Sequence, residues 1–298
     1  MARPLTIADR GPGYSYRADD PPPSIFGEHQ PGIATPLLDH LVLAAFDLDG
    51  RDLRELLTTW SREAERLMAA HHTGGRPAGA LTITIGLGPG AFDRIPRPVA
   101  LKPLPPFPGD ALDPAYCGGD LLVQACASQA HIADEAVRTL AQGRHPRWTQ
   151  TGHLRRDPRD SPHGRPRDPL GFKDGTHNPR RGRDLDRHIW AGAGERTWMA
   201  GGTYLVVRRI EVDLDAWERL GTEEQERVVG RHKQSGAPLG RRAEFDPFWL
   251  DDPKLPKDAH VRLTAPSLNL TRFTTHVGSA VFAIPPGAPP PQGFVGEM

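Results

Sequence analysis

His260 opens the stretch HVRLTAP, in which Val261 and Leu263 alternate with His260 and Arg262. Read as an extended segment, this alternation turns the two apolar side chains to a core and sets His260 and Arg262 together on the other face. An imidazole beside a guanidinium suits a haem, with the ring nitrogen as axial ligand to iron and the cation near a propionate. A carboxylate would then have to fix the second ring nitrogen. The other candidate is Asp174, in GFKDGTHNP from Gly171 to Pro179. Two glycines flank it, so a flat ligand can approach the backbone, while Asn178-Pro179 forces a turn and Lys173 stands beside the acid. Such a carboxylate can serve as a proton relay, although the same letters also suit a plain Asp-Gly turn.

Other groupings carry less. Thirteen histidines are scattered along the chain, and a histidine is more often a surface or packing residue than a ligand. His71-His72 has no Cys, His or acidic partner at ligand spacing. GLGPG, Gly86 to Gly90, follows a strand-like run, but Pro89 and the prolines after it prevent the helix that a dinucleotide site requires. Cys117 and Cys126 form neither a disulfide framework nor a zinc knuckle. With 37 basic residues against 37 acidic ones, no global field draws the chain to nucleic acid, an anionic membrane or an acidic substrate. No apolar run is long enough to span a bilayer, and the start lacks an export signal, so a cytoplasmic setting is expected.

The elements that must position these residues follow from hydrophobic period. Hydrophobic residues at 37% are too many for disorder, while 32 glycines and 32 prolines make the connections long. HLVLAAFDL from His40, LTITIGLG from Leu81, GGDLLVQACA and PRWTQTGHL read as strands. Arg51 to Ala70, with a stripe through Leu53, Leu56, Leu57, Trp60, Ala64 and Leu67, reads as a helix stopped by the glycines of HHTGG; HIADEAVRTLAQ is a second helix. The order β-α-β-β-α-β is that of a ferredoxin-like unit. The fold class is therefore α+β, with antiparallel sheets in two such halves, the second incomplete. GGTYLVVRRIEVDLDAW starts that second half as a long strand, and a helix from Asp215 to about Arg231 follows, with TEEQ as a capping box. GSAVFAI is the one further good strand. The segment Arg155 to Arg183 is rich in charge and lacks a period, as a solvated loop would be. The expected division is an arm over 1–31, a first half over 32–154, a loop segment over 155–198 and a second half over 199–298.

GEHQPGIATPLLDHLVLAAFDL, LTITIGLGPGAFD, FPGDALDPAYCGGDLLVQACA, LGFKDGTHNP, WMAGGTYLVVRRI, EQERVVGRHKQSGAPLG and DAHVRLTAP together resemble the dye-decolorising peroxidases, specifically the branch of the deferrochelatase-type haem peroxidases. They run in family order from Gly27 to Pro266, and GFKDG is the most specific. The resemblance implies two ferredoxin-like repeats with a b-type haem held in the second. It makes His260 the proximal iron ligand and Asp174 the acid of the GxxDG motif, relaying a proton between the peroxide oxygens. Gly175, Thr176 and His177 then pass over the haem, while Ala265, Pro266 and Ser267 line it after the histidine, with Arg262 near a propionate. The implied partners are hydrogen peroxide and a small aromatic reductant such as a phenol or dye.

The chain also departs from the family. There the proximal histidine segment is followed by a strand bearing a distal arginine, of the form Arg-Arg-Gly-Tyr-Ser, then by a strand and a helix. Here Ser267 runs almost directly into LNLTRFTTHVGSAVFAIPPG, where Arg272 belongs to the terminal element and does not take the role. RGPGYSY, Arg10 to Tyr16, resembles the missing strand only in letters. Losing one preorganised donor over the reacting oxygens costs about 2.7 to 4 kcal/mol of barrier, so weakened peroxidase activity is expected. The alternative is a haem-binding or haem-handling protein without catalysis. The shortened sheet would leave an open edge, which the arm or a second subunit should cover, hence an expected homo-oligomer.

Overall fold

The computed structural model describes residues 21–72, 79–93, 95–104, 110–155, 157, 166–176, 178–179, 182–192, 194–209, 211–247 and 252–263. They fall into two compact units. One takes the described chain up to His153 and returns for 182–205, and the other takes Leu154–Pro179 and the described residues from Val206 on.

The first unit is the complete repeat that the hydrophobic pattern predicts. Strands β1 (His40–Phe46), β2 (Leu81–Leu87), β3 (Leu121–Ala127) and β4 (Trp148–His153) alternate with helices α1 (Leu53–His71) and α2 (Ala130–Ala141) in the order β-α-β-β-α-β. The four strands form one antiparallel sheet in the order β2-β3-β1-β4. Register explains the core: Val42 lies opposite Ala125 and Ala125 opposite Ile83, while Ala44 lies opposite Val123 and Val123 opposite Ile85. Period two puts all of these on one face, with Phe46, Leu121 and Ala127, against the helices. Helix α1 covers that face with Leu56, Trp60, Ala64, Leu67 and Met68, one stripe at helical spacing. Asp52 caps it by accepting the Glu55 N–H at 2.9 Å. His72 is its C-cap, and the glycines predicted to stop it at 74–75 lie outside the described residues.

The other face carries Thr82, Thr84, Gln124 and Cys126 and is covered by the chain before β1. Gln124 Nε2 donates to the Gly32 carbonyl at 3.0 Å, and the Thr84 hydroxyl donates to the Pro31 carbonyl at 2.5 Å. Gly32 has φ +89°, and a Cβ there would stand 2.5 Å from Thr84 Oγ1, so only glycine lets the chain lie this low. Strand β2 is an edge, and Gln30 closes part of it: its amide nitrogen donates to the Ile85 carbonyl at 3.0 Å and its amide oxygen accepts the Ile85 N–H at 2.8 Å. GLGPG is no nucleotide loop. It leads into a four-residue 3-10 turn, Pro89–Phe92, and a Cβ on Gly88 would lie 1.9 Å from the Gly119 carbonyl oxygen.

Among the described residues the second unit shows no full repeat, and several of its elements differ from expectation. Residues 202–209, predicted as a long strand, join no ladder among the described residues, and Leu205, Val206 and Val207 are about a third exposed. A β-rich sequence becomes a strand only with a neighbour to exchange hydrogen bonds. The helix predicted from Asp215 breaks at Leu220-Gly221 into α4 (Leu214–Arg219) and α5 (Thr222–Val229), after α3 (Gly182–His188) in the first unit. Thr222 is the first helical residue, not the cap; Gly221 holds that place without a side-chain bond, so the capping box does not form. HVRL is not extended: His260–Leu263 form a short helix, α6, and the rest of HVRLTAP lies outside the described residues. The strand alternation from which a shared face of His260 and Arg262 is read is therefore not the local geometry of this stretch. GSAVFAI lies outside the described residues, as do Arg272 and Arg10 to Tyr16. No helix among the described residues is long and apolar enough to cross a membrane.

Two substitutions test the first unit in opposite directions. Leu140 is fully buried, so Leu140→Ala is expected to lower stability by about 2–5 kcal/mol. Gln142 ends α2 with φ 49° and ψ 46°, a left-handed conformation that glycine adopts freely, so Gln142→Gly is expected to raise stability by about 0.5–1 kcal/mol. Urea unfolding midpoints of both variants against the parent decide the two signs.

Candidate active site

The loop that carries Asp174 is assembled around a buried cation. Arg167 is 6% exposed, and its guanidinium donates to the carbonyls of Gly171 at 2.9 Å, Lys233 at 2.7 Å and Gln234 at 3.1 Å, while Nε pairs with Asp157 at 3.4 Å. Its backbone bridges both Arg155 and Lys173. The charged stretch predicted as a solvated loop is therefore partly a buried one, because three carbonyls and a carboxylate replace the water the guanidinium gives up.

Asp168 then closes a tight turn. Its backbone N–H donates to the Phe172 carbonyl and its Oδ1 accepts the Phe172 N–H, both at 2.9 Å, with a further amide bond from Leu170. Gly171 N–H returns to the Asp168 carbonyl at 3.0 Å. Gly171 adopts φ +89°, and a Cβ there would lie 2.7 Å from Lys233 Cε, so the position needs glycine for conformation and for space. Phe172, 2% exposed, anchors the far side of the turn edge-on to Trp217 of α4, whose indole N–H donates to the Leu170 carbonyl at 3.1 Å.

Asp174 comes next, half-buried, its N–H donating to the Pro166 carbonyl at 2.9 Å. Gly175 follows at φ +68° and its carbonyl accepts the Asn178 N–H at 3.2 Å, which is the turn that Asn178-Pro179 predicts. The neighbours of Asp174 converge on one acid: Lys173 Nζ pairs with Glu244 at 3.2 Å, and the Thr176 hydroxyl donates to its other oxygen at 3.1 Å. Arg231, itself 6% exposed, holds the carbonyls of Gly236 and Glu244.

His260 is exposed and stands at the start of α6, right after the fully buried Ala259. Helix α5 ends at Gly230 in the left-handed region, φ 89°, and a Cβ there would meet Val261 Cγ2 at 2.5 Å and Leu255 Cδ1 at 2.9 Å. The missing side chain is what lets α6 approach.

Electrostatics joins the parts. Burial pushes the Asp168 carboxyl up to about 6; the negative charge of Asp174 adds to the rise, and the amide of Phe172, the charge of His260 and the amide of Leu170 oppose it. Asp174 and His260 thus both act on one carboxylate. Gly175 and Thr176 share the Asp174 loop, but Thr176 is buried with its hydroxyl on Glu244. Arg262 lies in α6 with His260. His177, Ala265, Pro266 and Ser267 lie outside the described residues. Among the described residues no three His, Cys, Asp or Glu side chains form a cage for a bare metal ion. His260, exposed at the start of α6, is the imidazole that would hold the iron of a haem. The sequence reading missed Arg167, Asp168 and Glu244. Asp168-Pro169 followed by Gly171 was a turn signal for the second, while nothing local marks the other two.

Comparison with known proteins gives a consistent picture. The Dyp-type peroxidase N-terminal domain matches residues 30–152 and the Dyp-type peroxidase C-terminal domain matches residues 165–269. A deferrochelatase from Yersinia pestis bv. Antiqua (strain Nepal516) is 33% identical over 279 residues, covering 81% of this chain and 64% of the relative. A dye-decolorizing peroxidase from Thermobifida fusca (strain YX) is 37% identical over 283 residues, covering 81% and 65%. The chain thus spans just under two thirds of the length of these curated relatives. Among solved structures, a DyP-type peroxidase from Cellulomonas bogoriensis superposes with TM-score 0.76 at 35% identity, covering 93% of this chain and 84% of that one. DtpA from Streptomyces lividans, in an oxyferrous/water mixed complex, gives TM-score 0.76 at 37% identity, covering 85% and 76%.

Two outcomes are expected from the buried charges. Arg167→Leu strands three carbonyls and leaves Asp157 without its cation, and a loss of about 3–5 kcal/mol in urea unfolding is expected. For Asp168 the folded value lies above the ordinary 3.8, so the folded state binds the extra proton. Its contribution to stability is complete below that ordinary value and is lost as pH rises to about 6. Asp168→Asn is expected to flatten this part of the pH profile, which unfolding midpoints measured across the window will check.

Proposed function

This chain belongs to the Dyp-type peroxidase family, and we propose that it reduces hydrogen peroxide at a haem held through His260 while oxidising phenolic or dye-like molecules. The observation that carries the proposal is Asp174: an acid on a hydrogen-bonded turn, whose charge and that of His260 both bear on the Asp168 carboxyl. Haem, when bound, supplies the redox centre at which peroxide is reduced. His260 would hold its iron, since the imidazole is exposed at the start of α6 and a neutral ring nitrogen is a ready metal ligand. Asp174 would take a proton from one peroxide oxygen and return it to the other, a task for a carboxylate held in place but not sealed from the ligand. Gly175, Thr176 and His177 would form the chain over the cofactor, with Thr176 bracing that loop through Glu244. Ala265, Pro266, Ser267 and Arg262 would line it from the other side. The b-type assignment agrees with Cys117 and Cys126, which do not form the C-x-x-C-H pattern of covalent attachment. In the same reading residues 32–154 form the first half, 155–198 the segment over the haem, 199–298 the second half and 1–31 an arm, in a homo-oligomer.

Activity is expected to be weak. Arg167 does not substitute for a distal arginine, because its guanidinium faces the carbonyls of Gly171, Lys233 and Gln234. The similarity to proteins named deferrochelatase supports a second reading, in which haem is bound and handled but peroxide is not turned over.

Reconstitution with hemin tests both. A Soret band is expected, and it should vanish in His260→Ala. Asp174→Asn should keep the band and lose roughly 10²- to 10⁴-fold in peroxide-driven dye oxidation. A band with no turnover in the parent chain would favour haem handling, while turnover that survives Asp174→Asn would sink the proton relay.

A further inference from the structure

Asp168, at the start of the turn that leads to Asp174, has unusual surroundings. A carboxylate taken from water ordinarily demands a cation, yet among the described residues none stands within ion-pair distance of it. The adjacent guanidinium of Arg167 is directed to three carbonyls and Asp157, and the Lys233 ammonium lies over the Phe172 ring and bonds Gln225. The partners Asp168 does have are amides of its own turn: Phe172 through Oδ1, and Leu170. The charged groups that reach it are Asp174 and His260.

From this arrangement we infer that Asp168 is the positioning residue for Asp174. Its side chain closes the turn from 168 to 172, and Asp174 begins two residues beyond the closing bond. The two ends of the short segment are then both fixed, one by Phe172 N–H on Asp168 and the other by Asp174 N–H on the Pro166 carbonyl. Without the first tie the loop keeps its end but gains freedom in its middle, and the acid swings with it. Holding an acid to within a fraction of an ångström is worth as much to a proton transfer as its chemistry. The inference rests on the relay role proposed for Asp174, but its first readout does not depend on haem.

Hydrogen exchange followed by mass spectrometry on the full chain, before hemin is added, reads the turn directly. Asp168→Ala is expected to speed exchange in peptides spanning 168–174 by about tenfold, the effect of losing roughly one to two net amide bonds. Asp168→Asn keeps an acceptor oxygen and should restore protection to within about twofold of the parent. In the haem-loaded chain, dye turnover should fall in Asp168→Ala, with the Soret band retained, and recover in Asp168→Asn. Unchanged exchange in Asp168→Ala overturns the inference, as does exchange in Asp168→Asn as fast as in Asp168→Ala. If Asp168→Ala does not fold, Asp168→Asn against Asp168→Leu, which fills the site without an acceptor, makes the same comparison. Turnover that fails in the parent chain while the exchange pattern holds would count against the peroxidase reading and leave the turn assignment standing.

Discussion

A guanidinium removed from water has to find acceptors in fixed directions, and in the second unit Arg167 meets that demand by gathering backbone. Gly171 belongs to the turn before Asp174, and Lys233 and Gln234 belong to the strap after α5. One side chain therefore ties two segments more than sixty residues apart, where the sheet that would ordinarily do so is missing among the described residues. Arg231 repeats the device from the strap itself, reaching the carbonyls of Gly236 and Glu244. Since Glu244 also receives Lys173 and Thr176, the two arginines and one glutamate form a polar scaffold around the Asp174 loop. Such a scaffold is directional where an apolar core is not, which suits the role proposed for the Asp174 loop.

The first unit solves its stability by the opposite route. Its core is continuous from strand to helix, with Trp60, Met68, Ile83, Val123 and Leu140 at or near zero exposure. Polar chemistry enters at the boundary, where Gln30 uses both ends of one amide to imitate a neighbouring strand along β2. A side chain that pairs with an edge in this way satisfies it without extending the sheet.

Much of this was legible beforehand, and the division has a physical cause. Register and helix stripes in residues 40–153 depend on periods of two and 3.6, which are local, so the repeat was readable. The turn that carries Asp174 was readable because its glycines and Asn178-Pro179 are also local signals. What escaped was tertiary. The same β-rich letters of 202–209 that would make a strand beside a partner make an unladdered segment here. The alternation of HVRL gave way to a helical turn once Ala259 and Leu255 were buried against α5. Arg167 read as one charge in a charged run, because its acceptors sit at positions 233 and 234, far beyond any window.

Gly230 carries a consequence that reaches past its own turn. With less than a methyl group's room between it and the side chains of Val261, Leu255 and Ala259, the short helix bearing the imidazole is seated by side chains resting on bare glycine backbone. An added carbon there would act as a wedge, prising up the platform under His260 while every chemically active side chain stayed intact. Under the proposed ligation, haem would then be lost through a position that never touches it, and a colour screen of random variants would return this glycine alongside His260.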